Sequence, residues 1–327
     1  MPQLALSSPP LPIKTWLRPC ISVKLIIKNC IKIYNAALSS KSRLKLKRRI
    51  SKQTLTKPDK LSPEIRGVSY NPVYDELFFA DSNNHVVRSM RLRDNAIDLR
   101  DVYRGVRPAC RERDDTPPIF YCVCHMRHSD TLLVCSYEMG QETFGDWLVA
   151  FSRCGNEWRE AHRVPIANSG RMCGALSNSR LLVGEYESSY VELFHVQSGP
   201  LIEHISRIRV NEQYWWFSAT GGSDALVAMS YKTEESVCVH RLLGDRLELI
   251  APILLRKPYH LLWLDDRILV AQEADSKSIF ELELTGTILE RRRELVTCSV
   301  WRWCKMYNKR LAIVEFPSRD IKHYSFS

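Results

Sequence analysis

From residue 61 onward the chain repeats one hydropathy pattern: a short apolar run rich in strand formers, a closing polar residue, a polar break, and an alternating segment. The runs are Leu77-Phe78-Phe79-Ala80-Asp81, Leu132-Leu133-Val134-Cys135-Ser136, Leu181-Leu182-Val183-Gly184-Glu185, Leu226-Val227-Ala228-Met229-Ser230, Ile268-Leu269-Val270-Ala271-Gln272 and Leu311-Ala312-Ile313-Val314-Glu315. They begin 55, 49, 45, 42 and 43 residues apart, close to the ~40–50 residues of a propeller blade. Each unit divides into four short strands, in the third near Cys173–Ser177, Leu181–Glu185, Tyr190–Val196 and Leu201–Ser206. In the fifth unit Ile279, Glu281 and Glu283 oppose Phe280, Leu282 and Leu284, the period of a strand with one buried face. Turn residues such as Ser198-Gly199-Pro200 and Thr285-Gly286 punctuate the strands. No stretch of this region sustains a 3.6-residue period, which argues against a helical solenoid.

Six such units predict an all-β fold, a six-bladed β-propeller over residues 61–327. The last unit offers only three strands, near Ser299–Cys304, Arg310–Glu315 and Ile321–Phe326. An open edge there would invite aggregation. The expectation is that residues 50–56 (ISKQTLT) return to supply the missing outer strand.

Charge separates the two ends of the chain. The net charge of +10 resides in residues 1–60, which hold 14 Lys/Arg against a single acid, Asp59, whereas residues 61–327 net −3. This basic, partly disordered N-terminal extension admits several readings. Lys24, Lys28 and Lys32 share a helical face suited to anionic lipid. The shortage of acids fits a mitochondrial presequence, and Lys45-Leu46-Lys47-Arg48-Arg49 fits a nuclear import signal. The plainest reading is a solubilising tail. Arg48-Arg49-Ile50 places Ser51 as a phosphorylation candidate for a basophilic kinase. The opening MPQLALSSPPLPIK lacks the apolar core of a secretory signal. Lysines break ISVKLIIKNCIKIY every four residues, so no transmembrane segment is expected. Eleven cysteines, odd in number and without repeated spacing, predict reduced thiols and an intracellular, cytoplasmic protein.

One unit carries a family resemblance. Val68-Ser69-Tyr70-Asn71-Pro72 followed by Leu77-Phe78-Phe79-Ala80-Asp81-Ser82-Asn83-Asn84-His85-Val86-Val87-Arg88 resembles an NHL repeat, which runs from a strand through an Ala-Asp-Ser core to an Asn-His pair. The other five units keep only the apolar strand and the spacing. The resemblance implies a six-bladed, TolB-like propeller, a scaffold class in which some NHL members bind RNA. WD40 dipeptides and repeated kelch double glycines are absent from the sequence.

Candidate chemistry is sparse. Asp81, Glu185 and Glu315 end three of the apolar runs, and in a propeller equivalent positions ring the axis. Together they are candidate ligands for a divalent cation in the channel, against the alternative that each caps its own loop. With a metal, the fold resembles lactonases and esterases of the senescence-marker type, but the early Glu-Gly-Pro signature of that family is replaced here by Glu64-Ile65-Arg66-Gly67. Cys122-Val123-Cys124-His125 offers thiols on one strand face and an imidazole on the other, a poor zinc arrangement. Trp301, Arg302 and Trp303 are interaction candidates if exposed on a rim, and packing residues otherwise.

The function expected from these features is a non-catalytic protein-interaction platform, monomeric and without a cofactor. Its partner would dock on the loop-bearing face, with the long polar loops 107–118 and 138–146 foremost. The alternatives are the metal-dependent lactonase or esterase, and an RNA-binding NHL-like propeller. The net −3 of residues 61–327 makes nucleic acid an unfavoured partner for that region.

Overall fold

The six apolar runs become the second strands of six four-stranded antiparallel sheets. The computed structural model describes residues 44–55, 61–92, 98–104, 116–139, 145–167, 169–176, 179–221, 224–231, 233–306 and 310–326. The first strands are β2 (Ile65–Asn71), β6 (Thr116–Met126), β10 (Met172–Ala175), β14 (Trp216–Ala219), β18 (Pro258–Trp263) and β22 (Val300–Met306). The second strands are β3 (Glu76–Asp81), β7 (Thr131–Met139), β11 (Arg180–Gly184), β15 (Leu226–Tyr231), β19 (Ile268–Glu273) and β23 (Arg310–Glu315). Third strands follow as β4 (Val86–Arg91), β8 (Gly145–Cys154), β12 (Ser188–Val196), β16 (Ser236–Leu243), β20 (Ser278–Thr285) and β24 (Ile321–Phe326). The outer strands are β5 (Asp98–Arg104), β9 (Glu157–Pro165), β13 (Ile202–Tyr214), β17 (Arg246–Leu254), β21 (Ile288–Thr297) and β1 (Leu44–Ile50). These sheets are blades 1 to 6 in the order of their first strands.

Two-sided burial explains why the second strands read as unbroken apolar runs. Leu77 and Phe79 pack toward blade 6, while Phe78 and Ala80 pack toward blade 2. Leu311 and Ile313 face blade 5, whereas Ala312 and Val314 face blade 1. Each of six hydrophobic clusters joins two neighbouring blades, and the cluster of Ile50, Leu55, Ile65, Phe79, Cys304 and Val314 joins blade 6 back to blade 1. A closed β-propeller of six blades results, with the first strands lining the axis.

The closing strand lies earlier than residues 50–56. Leu44–Ile50 pairs antiparallel with β24, Leu44 opposite Phe326 and Ile50 opposite Ile321, with a bulge between Leu46 and Arg48. Beyond Ile50 the chain leaves the edge for a physical reason: Leu55 is fully buried in the blade 6–blade 1 core. Lys52–Leu55 therefore forms one helical turn, closed by Leu55 N–H donating to the Ser51 carbonyl at 3.3 Å. The Lys45–Arg49 cluster proposed as an import signal is part of this strand, and Arg49 reaches Asp320 of the β23–β24 turn at 2.5 Å. Ser51 is half-buried at the junction of strand and helical turn. Residues 1–43 lie outside the described residues, as do 105–115 and 140–144 from the two long loops. The flanks of those loops are strand, β6 starting at Thr116 and β8 at Gly145. No helix among the described residues is long and apolar enough to cross a membrane.

Candidate functional site at the channel mouth

The six first strands enclose a central channel whose cavity measures about 630 Å³. Close approach of these strands needs small residues at particular points. A β-carbon on Gly67 of β2 would stand 2.5 Å from the Cys122 α-carbon of β6, so only glycine lets blades 1 and 2 meet there. At the end where the first strands begin, the wall is basic and aromatic. Arg66 enters on β2, Arg171 immediately before β10, Trp216 on β14 and Arg302 on β22.

Aromatic rings hold these cations in place. Arg66 and Arg171 both lie over the Tyr121 ring, 5.6 and 5.2 Å from its centroid. Arg171 also lies 4.8 Å from the Tyr186 ring and donates to its hydroxyl. Arg302 lies 5.1 Å from the Trp216 ring and donates through Nε to the Arg66 carbonyl. Trp216 in turn meets His260 edge-on at 4.4 Å and tilts against Tyr259 at 6.5 Å. Such stacking pre-orients guanidinium groups whose N–H donors form a planar fork suited to carboxylates and phosphates.

Acids temper the mouth. Glu64 lies 3.4 Å from Arg66, and Glu185 lies 3.4 Å from Arg171. Asp146 stands beside them; burial and the nearby Glu185 raise its carboxyl to about 6, against the opposing pull of Arg171. Burial lowers the Arg302 guanidinium to about 10, still cationic at neutral pH, with Tyr259 and Cys122 acting in the opposite sense. His260 is buried and held neutral, its pKa driven well down by burial and by Arg302.

A group of thiols sits in the wall below the arginines. Cys122 of β6 and Cys173 of β10 bring their sulfurs to 3.1 Å, and the Cys122 thiol also points at the Gly170 carbonyl, 3.2 Å away. Cys135 of β7 is the ladder partner of Cys122. Burial opposes ionisation of Cys122, but hydrogen bonds from Cys135 and Cys173, with the charge of Arg302, outweigh it and lower its pKa to about 5. Hydrogen bonding to Cys122 pushes Cys135 and Cys173 up. Eight cysteines fall among the described residues, and all eight are free thiols.

The sequence-derived cation ligands are not assembled into one set. Asp81 is fully buried within blade 1, where it accepts from Glu64 N–H at 3.1 Å and Asn84 Nδ2 at 2.8 Å and pairs with Arg88 at 3.2 Å. Glu185 faces Arg171, and Glu315 binds Lys322 at 2.7 Å. Each carboxylate is thus engaged locally, and no group of three or more His, Cys, Asp or Glu able to hold a metal occurs among the described residues.

Of the Trp301-Arg302-Trp303 candidates, the side chain of Trp301 lies outside the described residues, and the other two take different places. Trp303 is buried between blades 5 and 6, donating from Nε1 to the Leu261 carbonyl at 3.1 Å, because its face of β22 is the face that meets blade 5. Arg302 turns instead into the channel. His125 opposes Cys122 and Cys124 across β6, stacking on Phe78 with Nε2 2.9 Å from Asp130.

Arg66, Arg171, Tyr121, Tyr186 and Tyr259 were not legible as a site. They are scattered over some 190 residues, and only the ring brings them together. The one available signal was positional, since Arg66 and Arg302 each sit near the start of a first strand, second in β2 and third in β22.

No protein-family model matches the chain, and no curated protein matches it. Solved structures do. The aldose sugar dehydrogenase of Streptomyces coelicolor, solved with PQQ bound, superposes with a TM-score of 0.56 at 8% identity, covering 88% of this chain and 99% of that one. The β-propeller domain of Cps50 (Swd1) from Myceliophteria thermophila gives 0.53 at 12% identity, covering 80% and 84%. A candidate 6-phosphogluconolactonase from Bacteroides fragilis gives 0.51 at 12% identity, covering 68% of each chain. At these identities the likeness extends to the propeller fold alone.

Proposed function

We propose that this protein is a non-catalytic binding platform and that its recognition surface is the arginine-rich mouth of the central channel. The observation that carries this reading is the convergence of Arg66, Arg171 and Arg302, from blades 1, 3 and 6, over the rings of Tyr121, Tyr186 and Trp216. Guanidinium groups donate hydrogen bonds and accept none, so the mouth is equipped to grip a carboxylate. The partner that fits is a protein presenting an acidic segment to the channel.

The test is fluorescence anisotropy with a labelled hexaglutamate peptide and the full chain. Binding that weakens with salt and falls about tenfold in Arg171→Gln/Arg302→Met supports the reading, a loss on the order of 1.4 kcal/mol. Binding untouched by those changes but abolished by Lys24→Gln/Lys28→Gln/Lys32→Gln assigns the peptide to the N-terminal extension and overturns it. The lactonase reading rests on a shared fold, and its candidate ligands Asp81, Glu185 and Glu315 are each engaged within their own blade or with Arg171. Chelator-sensitive hydrolysis of δ-gluconolactone by the purified chain would establish catalysis in place of the platform.

A further inference from the structure

The inner strands of neighbouring blades lie in contact around the axis, so side chains on their facing sides can meet. Here Cys122 of blade 2 and Cys173 of blade 3 face one another with sulfurs 3.1 Å apart, inside van der Waals contact. Both residues line the channel. Cys135 and Cys124 lie close enough to share hydrogen bonds within the group. Cys135, however, sits directly opposite Cys122 in the β6–β7 ladder. A bridge between those two would stay within blade 2, whereas the 3.1 Å sulfur approach runs from blade 2 to blade 3. Cys122 and Cys173 belong to different sheets and meet across the blade 2–blade 3 interface, while Gly170, at φ +54°, leaves the space against Cys135 and Ile166 that a β-carbon would fill.

We infer that Cys122 and Cys173 form a dithiol oxidation site in the channel wall, converted by hydroperoxides to a disulfide that staples blade 2 to blade 3. The chemistry balances without a metal. The Cys122 thiolate attacks one oxygen of hydrogen peroxide, the O–O bond breaks, and a sulfenic acid and hydroxide form. The Cys173 sulfur then attacks the Cys122 sulfur, the S–O bond breaks and water leaves. Overall two thiols lose two hydrogens and one peroxide becomes two waters. Burial opposes ionisation of Cys122, while hydrogen bonds from Cys135 and Cys173 and then the positive charge of Arg302 favour it. Cys154, by contrast, is exposed at the end of β8, so it serves as the internal control.

The test uses the full chain, reduced, desalted and treated with a slight molar excess of hydrogen peroxide. The intact mass should fall by ~2 Da, peptide mapping should recover Cys122 linked to Cys173, and dithiothreitol should restore the mass. Cys122→Ser and Cys173→Ser should each prevent the loss, whereas Cys135→Ser should leave it unchanged. A variant that loses its β circular-dichroism spectrum is replaced by the Cys→Ala change at the same position. Linkage through Cys135 or Cys124, addition of oxygen at Cys154 while Cys122 and Cys173 remain alkylatable, or over-oxidation of Cys122 without a bridge would each refute the site. These readouts are independent of peptide binding, so failure here leaves the recognition proposal untouched.

Discussion

Arg88 shows how one residue can knit three parts of the molecule. Its guanidinium is fully buried, 3.2 Å from Asp81 on the adjacent strand, 3.3 Å from Asp101 on β5, and 2.9 Å from the Leu55 carbonyl of the helical turn. Burying a charge is tolerable only where partners replace water, and removing one partner leaves the other stranded. Arg88→Met is therefore expected to cost roughly 3–5 kcal/mol in urea unfolding, with the Asp81→Asn/Arg88→Met pair costing clearly less than the sum of the singles. A single-variant loss below about 1 kcal/mol would contradict the keystone role. His240 makes a pH-dependent counterpart. Burial lowers its pKa to about 4, so between that value and an unfolded value of about 6.5 the unfolded chain takes up a proton that the folded chain refuses. The contribution is complete above pH ~6.5 and is lost as pH falls toward 4, by on the order of 3 kcal/mol. His240→Asn should flatten this part of the stability–pH curve; an unchanged slope would show that the ring titrates normally.

At the scale of strands, the apolar runs were legible because both faces of every second strand are buried, so hydrophobicity there does not alternate. Their predicted positions coincide with β3, β7, β11, β15, β19 and β23. The closing strand was harder to place. Residues 44–50, LKLKRRI, do alternate at the start, but the density of Lys and Arg hides a strand among apparent tail residues. Residues 50–56 are richer in Thr and Ser and read more like strand, yet burial of Leu55 bends them into a helical turn. Edge strands tolerate charge because half their side chains meet water, as exposed Lys47 and Arg49 do here. Deletion of residues 1–50 strips β24 of its partner. We expect the truncated protein to elute as larger species by size exclusion and to recover a monomeric peak when a synthetic 42–56 peptide is added. A monomer with unaltered melting temperature would show that the pairing is dispensable.

For the molecule as a whole, the ring turns separated residues into neighbours, which is why the site was less legible than the fold. Arg302 was visible as part of a Trp-Arg-Trp triplet, but its direction depended on which face of β22 meets blade 5. Arg171 carries no local signal, and Arg66 only its place near the start of a strand, since a lone arginine at a strand end is ordinary surface chemistry. The same logic limited the acidic candidates: equivalent positions in successive blades share a radius, not a common focus, and each carboxylate found its cation nearby.

The pairing of Leu44 with Phe326 has a consequence for biosynthesis. During translation the segment destined for the rim is made before all six blades' other strands and has no docking place until β24 follows. Blades 1 to 5 can assemble in sequence as an arc, but the arc presents two raw flanks, and sealing them awaits synthesis of β24. Stalled or prematurely terminated products are consequently open arcs with apolar ends, the kind of intermediate that chaperones hold and proteases clear.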